Sequence, residues 1–429
     1  MPKELDLIIS CYTEAIGRGE GRFQTTETRT MVTHMGDLLQ ECKVIAKGLK
    51  TARPSRCLAS PGVGLEPPSR GVADTLVDLY FGSFESTYRI LHEPTFRAEY
   101  HSYWAQPESV PTHVRLRILL VIGIGFSFYT GQDVEAGFRC MVRQWIYAAQ
   151  TWLSGPLEKD RLTIAGLQIH CLTLLARQIF SIGGDLVWVS VGSLIHAAMQ
   201  IGLHRDPKHF SEMSVLQVEV RRRLWATILE MVVQSSLDSR MPPRISFDEF
   251  DTNSPANIND DEVDESTSSL RPQPGGTYTS TSTQILLLES IPVRLRVLQL
   301  LYCFRAEMSY SNVLNLSSEL TDACRKCSRF FDQNSRAGAT PFRRNLVDLH
   351  VRLFLIWLHM PFASEARTNP MFYYSRKVSL DTTLTMITPE PDDCFSRLRV
   401  IGGGMFRESI RHASTIILLE LLGQVETSA

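Results

Sequence analysis

The sequence predicts an all-α fold, a multi-helix domain carrying long surface loops. Three observations lead there. Apolar residues recur at helical spacing through most of the chain, alternating strand patterns are hard to find, and capping or breaking residues stand at the ends of the periodic runs. Of 429 residues, 44% are apolar and 21% charged, an ordinary globular composition, and 26 Gly with 21 Pro are too few for a collagen-like or low-complexity chain. With 44 basic and 46 acidic side chains the formal charge is -2, so no global attraction to nucleic acid or to an anionic membrane is expected. Any charged partner must be met by a local patch.

Residues 1–70 read as a lead-in. Met31, Met35, Leu38, Leu39, Cys42, Ile45 and Ala46 recur at helical spacing, which predicts one amphipathic helix ending near Lys50. Pro54, Pro61, Pro67 and Pro68 then mark a loop. The first residues hold acids where a signal peptide would be basic and lack a sustained apolar core, so no leader is expected. The nine cysteines are scattered and read as buried free thiols, with the cell interior as the default compartment.

Residues 71–429 read as the helical domain. The most apolar stretch, Ile118 to Gln132, is shorter than the ~20 residues a bilayer requires and predicts a buried core helix. Val187, Val191, Leu194, Ile195, Ala198 and Ile201 define another helix, with Asp185 placed to cap its start and Gly202 and Pro207 suited to its end. Ser214 and Gln217 have capping-box spacing, and Leu224, Trp225, Ile228, Leu229, Val232 and Val233 form the apolar stripe of the helix that follows. Burying six such side chains contributes on the order of 10 kcal/mol gross. Pro242 and Pro243 stop that helix. Residues 248–265 hold eight acids and no base, and with the Ser, Thr, Pro and Gly that follow to Gln284 they read as a long, partly mobile surface loop. Helical spacing resumes at Ile285 and again from Leu346 to Leu358.

No catalytic constellation emerges. His204-Arg205-Asp206 matches part of a kinase catalytic loop, but position 211 is Ser where that loop needs Asn to hold metal, and no Gly-rich phosphate loop accompanies it. The tripeptide reads instead as the close of the preceding helix. Ser127, in Gly125-Phe-Ser127-Phe-Tyr129, lacks the last glycine of a nucleophile elbow, and Gly123-Ile-Gly125 lacks the third glycine of a dinucleotide fingerprint. Cys324 and Cys327 have metal-ligand spacing without a second pair to complete four zinc ligands, so they read as thiols on a core face. His170, His196 and His350 read as core histidines. Arg221-Arg222-Arg223 is the only triple basic run. Successive helical residues point ~100° apart, so the three cannot form one phosphate-facing stripe, and the acidic loop can neutralise them. No catalytic, cofactor-binding or metal residue is assigned.

The motifs from Val72 onward do resemble a family. Leu76-Val-Asp-Leu-Tyr-Phe-Gly-Ser-Phe-Glu85, Ile90-Leu-His-Glu-Pro-Thr-Phe96 and Tyr100-His-Ser-Tyr-Trp104 look like the opening of the fungal-specific transcription factor regulatory domain, the middle homology region that follows a binuclear zinc-cluster DNA-binding module. Gly202-Leu-His-Arg-Asp-Pro207, Glu219-Val-Arg-Arg-Arg-Leu-Trp225 and Pro255-Ala-Asn-Ile-Asn-Asp-Asp261 match its further landmarks in the right order, and Leu358-His-Met-Pro-Phe362 resembles a later one. The resemblance implies an all-helical regulatory domain of a nuclear, promoter-specific regulator, often dimeric, of the kind that frequently serves secondary metabolism. It implies homodimer or heterodimer contacts, the transcription machinery as partner, and no catalysis and no membrane. Two departures stand out. The six cysteines of the zinc cluster are not found, since residues 1–70 hold only Cys11, Cys42 and Cys57, and the family's Gly-Arg-Pro appears as Arg240-Met-Pro242. Zinc is therefore expected only with a six-cysteine module outside this chain, and promoter DNA only through that module or a partner protein. The alternative is a zinc-cluster-free ligand-sensing or interaction protein that modulates a DNA-binding partner.

Overall fold

The computed structural model describes residues 65–130, 135–155, 161–210, 213–303, 308–366 and 368–428, together with parts of 34–45. The chain divides into two units, Met1–Ala59 and Ser60–Ala429. In the first, the described residues from His34 to Ile45 are helical and all exposed, Leu38 and Ile45 among them. Met31, Met35, Leu39, Ala46 and Pro54 lie outside the described residues.

In the second unit every regular element among the described residues is a helix. Its first half contains α1 (Arg70–Tyr80), α2 (Glu93–Ala105), α3 (Thr112–Gly125), α4 (Glu135–Ser154), α5 (Ile164–Ile179) and α6 (Val187–Gln200). The long α7 (Val215–Ser239) leads to α8 (Ser282–Tyr302), α9 (Tyr310–Asn334), α10 (Pro341–Glu365), α11 (Tyr373–Ile387), α12 (Asp393–Ile401) and α13 (Gly403–Ser428). The helix α3 packs on α1, α4 and α5, and α10 packs on α8, α9 and α11. The two halves are joined because α7 packs on α6 and α8, while α13 packs on α5 and α11. One large apolar core results, beside a small separate cluster of Leu216, Ile258 and Val263.

Local sequence explains the main elements. From Leu116 to Gly125 every residue of α3 is buried, as expected for a run with no polar face. Its end crosses α1 so closely that a Cβ on Gly125 would lie 1.9 Å from the Leu76 carbonyl oxygen. Backbone cannot yield as a side-chain tip can, so Gly125→Ala is expected to cost about 1–3 kcal/mol despite alanine's better helix propensity. A lowered urea midpoint with unchanged slope is the expected readout. The helix α6 starts at Val187 with Leu186, not Asp185, at its N-cap position, and it ends where Gly202 turns with φ +79°. At α7 the serine half of the expected box forms, with Gln217 N donating to Ser214 Oγ at 3.2 Å. All six residues of the stripe are buried, and so is most of the helix circumference from Arg223 to Leu237. It is a central helix rather than an amphipathic surface one. Its C-terminal residue is followed by Arg240 in the left-handed region, φ 54°, two residues before Pro242.

Several expectations are corrected. The acidic segment is a surface loop only in part: residues 264–277 are mostly exposed, but Asn257, Ile258, Asp260 and Val263 are buried, and Thr279, Thr281 and Ser282 fold back to bond Asn257 and Ile258. His196 is exposed, because it lies on the outer face of α6. Cys42, Cys140 and Cys303 are exposed, whereas Cys171, Cys324 and Cys327 are buried. Cys11 and Cys57 lie outside the described residues. The helix α10 is long and apolar enough to cross a membrane by length and composition, but its apolar side chains, from Leu346 to Leu358, fill the core.

Candidate functional site

The motif residues converge on a buried ion network. Arg89, itself in the left-handed region after a short helical turn, reaches across the fold to Asp260 in the acidic segment. Arg223 of α7 bonds the same carboxylate at 2.6 Å, and the Glu93 backbone N–H donates to its other oxygen at 3.0 Å. His92 Nε2 lies 3.0 Å from the Asp260 carbonyl oxygen, so the imidazole clips the same residue by its backbone. Burial alone would raise the Asp260 carboxyl, but the Arg89 and Arg223 guanidiniums overcome that and hold it at about 2. Beside them Gln284 Nε2 donates to the Arg223 carbonyl at 2.8 Å and to Thr227 Oγ1 at 2.9 Å. Thr227 in turn bonds the Tyr88 carbonyl.

A second network uses the neighbouring arginine. Arg222 bonds both oxygens of Asp206 at 3.1 Å, and Asp206 also accepts from the backbone N–H groups of Lys208 and Asn253. Glu219 accepts from Arg222 and from the Ala256 N–H. The Asp206 carboxyl is thereby lowered to about 2 although burial opposes this. Arg221 completes the triple differently, donating to the Ile201 carbonyl at 2.7 Å and lying over the Phe210 ring. Only Arg223 takes its carboxylate from the acidic segment; Arg222 uses Asp206 and Glu219. All three arginines are engaged with the protein's own groups, so this triple does not offer a basic stripe to phosphate.

The remaining candidates occupy structural positions. Ser127 Oγ donates to the Ile124 carbonyl at 2.7 Å inside the core. His204-Arg205-Asp206 anchors the segment after α6 through Asp206. Cys324 and Cys327 face the core from α9, and burial pushes their thiols up to about 11 and about 12. Among the described residues no three His, Cys, Asp or Glu side chains are grouped to hold a metal. His170 is lowered to about 4 by burial first and Arg177 second. His350 lies 3.2 Å from the Tyr88 hydroxyl, and burial lowers it to about 4. His359, in the later landmark, bridges Ser317 of α9 and Ser375 of α11 at 2.8 and 2.9 Å.

Two features were missed at the sequence level. A buried bidentate pair joins Arg294 of α8 to Glu230 of α7 at 2.7 and 2.6 Å. A mainly apolar cavity of about 500 Å³ opens between α8, α10, α11 and α13, lined among others by Tyr302, Trp357, Ser379 and Ile416. No motif announced either one, because each is assembled from distant helices.

Comparison with known proteins accounts for the motif order. The fungal specific transcription factor domain matches residues 77–325, more than half of the chain. The chain belongs to that family. Relatives that match it include "Transcription factor asR3" of Sarocladium schorii, 44% identical over 98% of this chain and 55% of the relative. "Transcription factor opdR" of Penicillium oxalicum is 37% identical over 96% of this chain and 54% of its own length. The "Aspyridones cluster regulator apdR" of Emericella nidulans is 33% identical over 76% of this chain and 47% of its own. The chain spans about half the length of these relatives. No solved structure matches it. In this member of the family the landmarks Ile90–Phe96, Glu219–Trp225 and Pro255–Asp261 are tied together by the two interior networks, and the Gly202–Pro207 landmark supplies the Asp206 anchor.

Proposed function

We propose that this chain is the helical regulatory part of a fungal transcription regulator that controls one biosynthetic gene cluster in the nucleus. What carries the reading is similarity along nearly the whole chain to proteins named as transcription factors, one of them as the regulator of a named cluster. The interior supports it. The charged motifs hold helices together: Arg223 and Arg89 bond Asp260, and Arg222 bonds Asp206. Promoter DNA is reached through a zinc-cluster module or a DNA-binding partner, and this domain supplies homodimer or heterodimer contacts and a surface for the transcription machinery.

Deleting the gene, or overexpressing it, and measuring transcripts of the neighbouring biosynthetic genes tests the reading directly. Co-ordinate change across one cluster is expected, and unchanged transcripts under both treatments would refute it. The purified chain is further expected to bind no stoichiometric zinc and to give no sequence-selective shift of DNA at ~0.15 M salt. Two zinc ions per chain, or a selective shift without a partner, would assign DNA reading to these residues instead.

A further inference from the structure

Buried polar side-chain atoms are nearly always paired, so a group of unpaired ones around one cavity calls for an explanation. The cavity between α8, α10, α11 and α13 has such a group. Trp357 Nε1, Tyr302 Oη and Ser379 Oγ, all on lining residues, have no hydrogen-bond partner. Outside the lining itself, Thr383, one turn beyond Ser379 on α11, leaves its Oγ1 unpaired, and His412, whose ring meets that of Trp357, leaves both ring nitrogens without a hydrogen bond, Nε2 lying 3.8 Å from a Glu408 carboxylate oxygen. The centroid of the Trp357 ring stands 4.0 Å from that of His412 and 6.5 Å from that of Tyr302, so these three rings are contiguous. Trp357 and Ser379 are buried, Ser379 completely.

The rest of the wall sets the chemistry of an occupant. Met308, Met360, Leu380 and Ile416 offer adaptable apolar surface. Among the lining residues the charged side chains are Arg376 and Glu420, and they neutralise each other, Arg376 bonding both oxygens of Glu420 at 2.8 and 2.9 Å; Arg240 lies over the Trp357 ring from outside the lining. Burial pushes the Tyr302 phenol up and lowers His412 to about 4, so both are neutral at physiological pH. Pro361, on the same wall, has no N–H to give the Trp357 carbonyl one turn back. The volume falls within the usual range of ~300–1,000 Å³ for small-molecule sites.

We propose that this cavity is a binding site for a small, neutral, mainly apolar molecule bearing carbonyl or hydroxyl oxygens. The apolar skeleton lies against Trp357, the methionines and Leu380. An oxygen of the ligand accepts from the Trp357 N–H or exchanges hydrogen bonds with the Ser379 and Tyr302 hydroxyls, which turn toward it as it seats. A negatively charged ligand is disfavoured because Arg376 is already matched by Glu420. If the protein is a transcription regulator, the site is its chemical input, but binding itself is independent of that reading and is measured on purified protein.

The test uses prodan, a neutral naphthyl ketone whose emission shifts to the blue on desolvation, with anionic anilinonaphthalene sulfonate for comparison. Saturable binding of one prodan per chain is expected, tighter than that of the anion. Ala363→Phe projects a ring into the cavity and is expected to weaken prodan at least about tenfold. Trp357→Phe keeps the aromatic wall but removes the N–H, with an expected loss of about fivefold. Ser379→Ala serves as the mildest variant, and circular dichroism melts establish that each protein tested is folded. No saturable prodan binding, equal binding by folded Ala363→Phe, or a preference for the anion would each overturn the assignment.

Discussion

Asp260→Ala is expected to destabilise the domain by about 3–5 kcal/mol. The carboxylate is buried and faces Arg89 and Arg223, both themselves buried. Removing it takes from two buried cations the one carboxylate that both of them bond, a loss that costs about 3–5 kcal/mol. Against a total stability on the order of 5–15 kcal/mol, that is a large fraction. The backbone anchor to Glu93 is lost in the same change. Urea denaturation followed by circular dichroism gives the cost, and an unchanged midpoint would show that the network carries no net stability. The pH dependence provides a second check. Because the folded-state carboxyl titrates at about 2, below its ordinary 3.8, its contribution is present above pH ~4 and is lost as pH falls toward 2. That component of the acid sensitivity should be missing from the variant. Asp206, also held at about 2, retains its own.

Trp225→Ala should produce a loss of similar size by a different mechanism. Trp225 is buried in the centre of α7, and its ring meets Phe250 in a T-shaped contact with centroids 5.6 Å apart. Truncation removes the transfer free energy of the indole and leaves a cavity that a helix fixed on most sides cannot close, for about 3–5 kcal/mol. The indole Nε1 has no hydrogen-bond partner, so Trp225→Phe forfeits volume but no bond and should be clearly milder. The difference in thermal midpoint between the two variants separates packing from polarity. An alanine variant as stable as the parent would remove Trp225 from the core.

The helical class, the course of α6 and α7, and the serine cap at Ser214 were legible because they depend on neighbours within one or two turns. The apolar run from Ile118 to Gln132 marked α3 but not its end, since the helix stops at Gly125 and a 3-10 turn over Phe126–Phe128 follows. The apolar stripe of α7 was read correctly residue by residue, yet its depth was not. Periodicity reports which face is apolar, and a helix whose polar residues are also buried, such as Thr227, Glu230 and Gln234, looks amphipathic until its partners are known. The family landmarks were legible too, as a pattern of residues in order. Their physical role was not.

Sequence by itself determined that this is a helical chain of the fungal transcription factor family, with an arginine triple and an acidic segment and without catalytic spacing. The tertiary structure decided what those charges do. Arg223 and Asp260 are 37 positions apart, and Arg89 and Asp260 are 171 apart, so no local rule could pair them. An acid in a polar run reads as solvated because isolated carboxylates avoid the interior, and only two arginines delivered from elsewhere make its burial tolerable. The cavity has the same origin. Tyr302, Trp357 and Ser379 sit on three helices, and their unpaired polar atoms become a site only where α8, α10 and α11 meet.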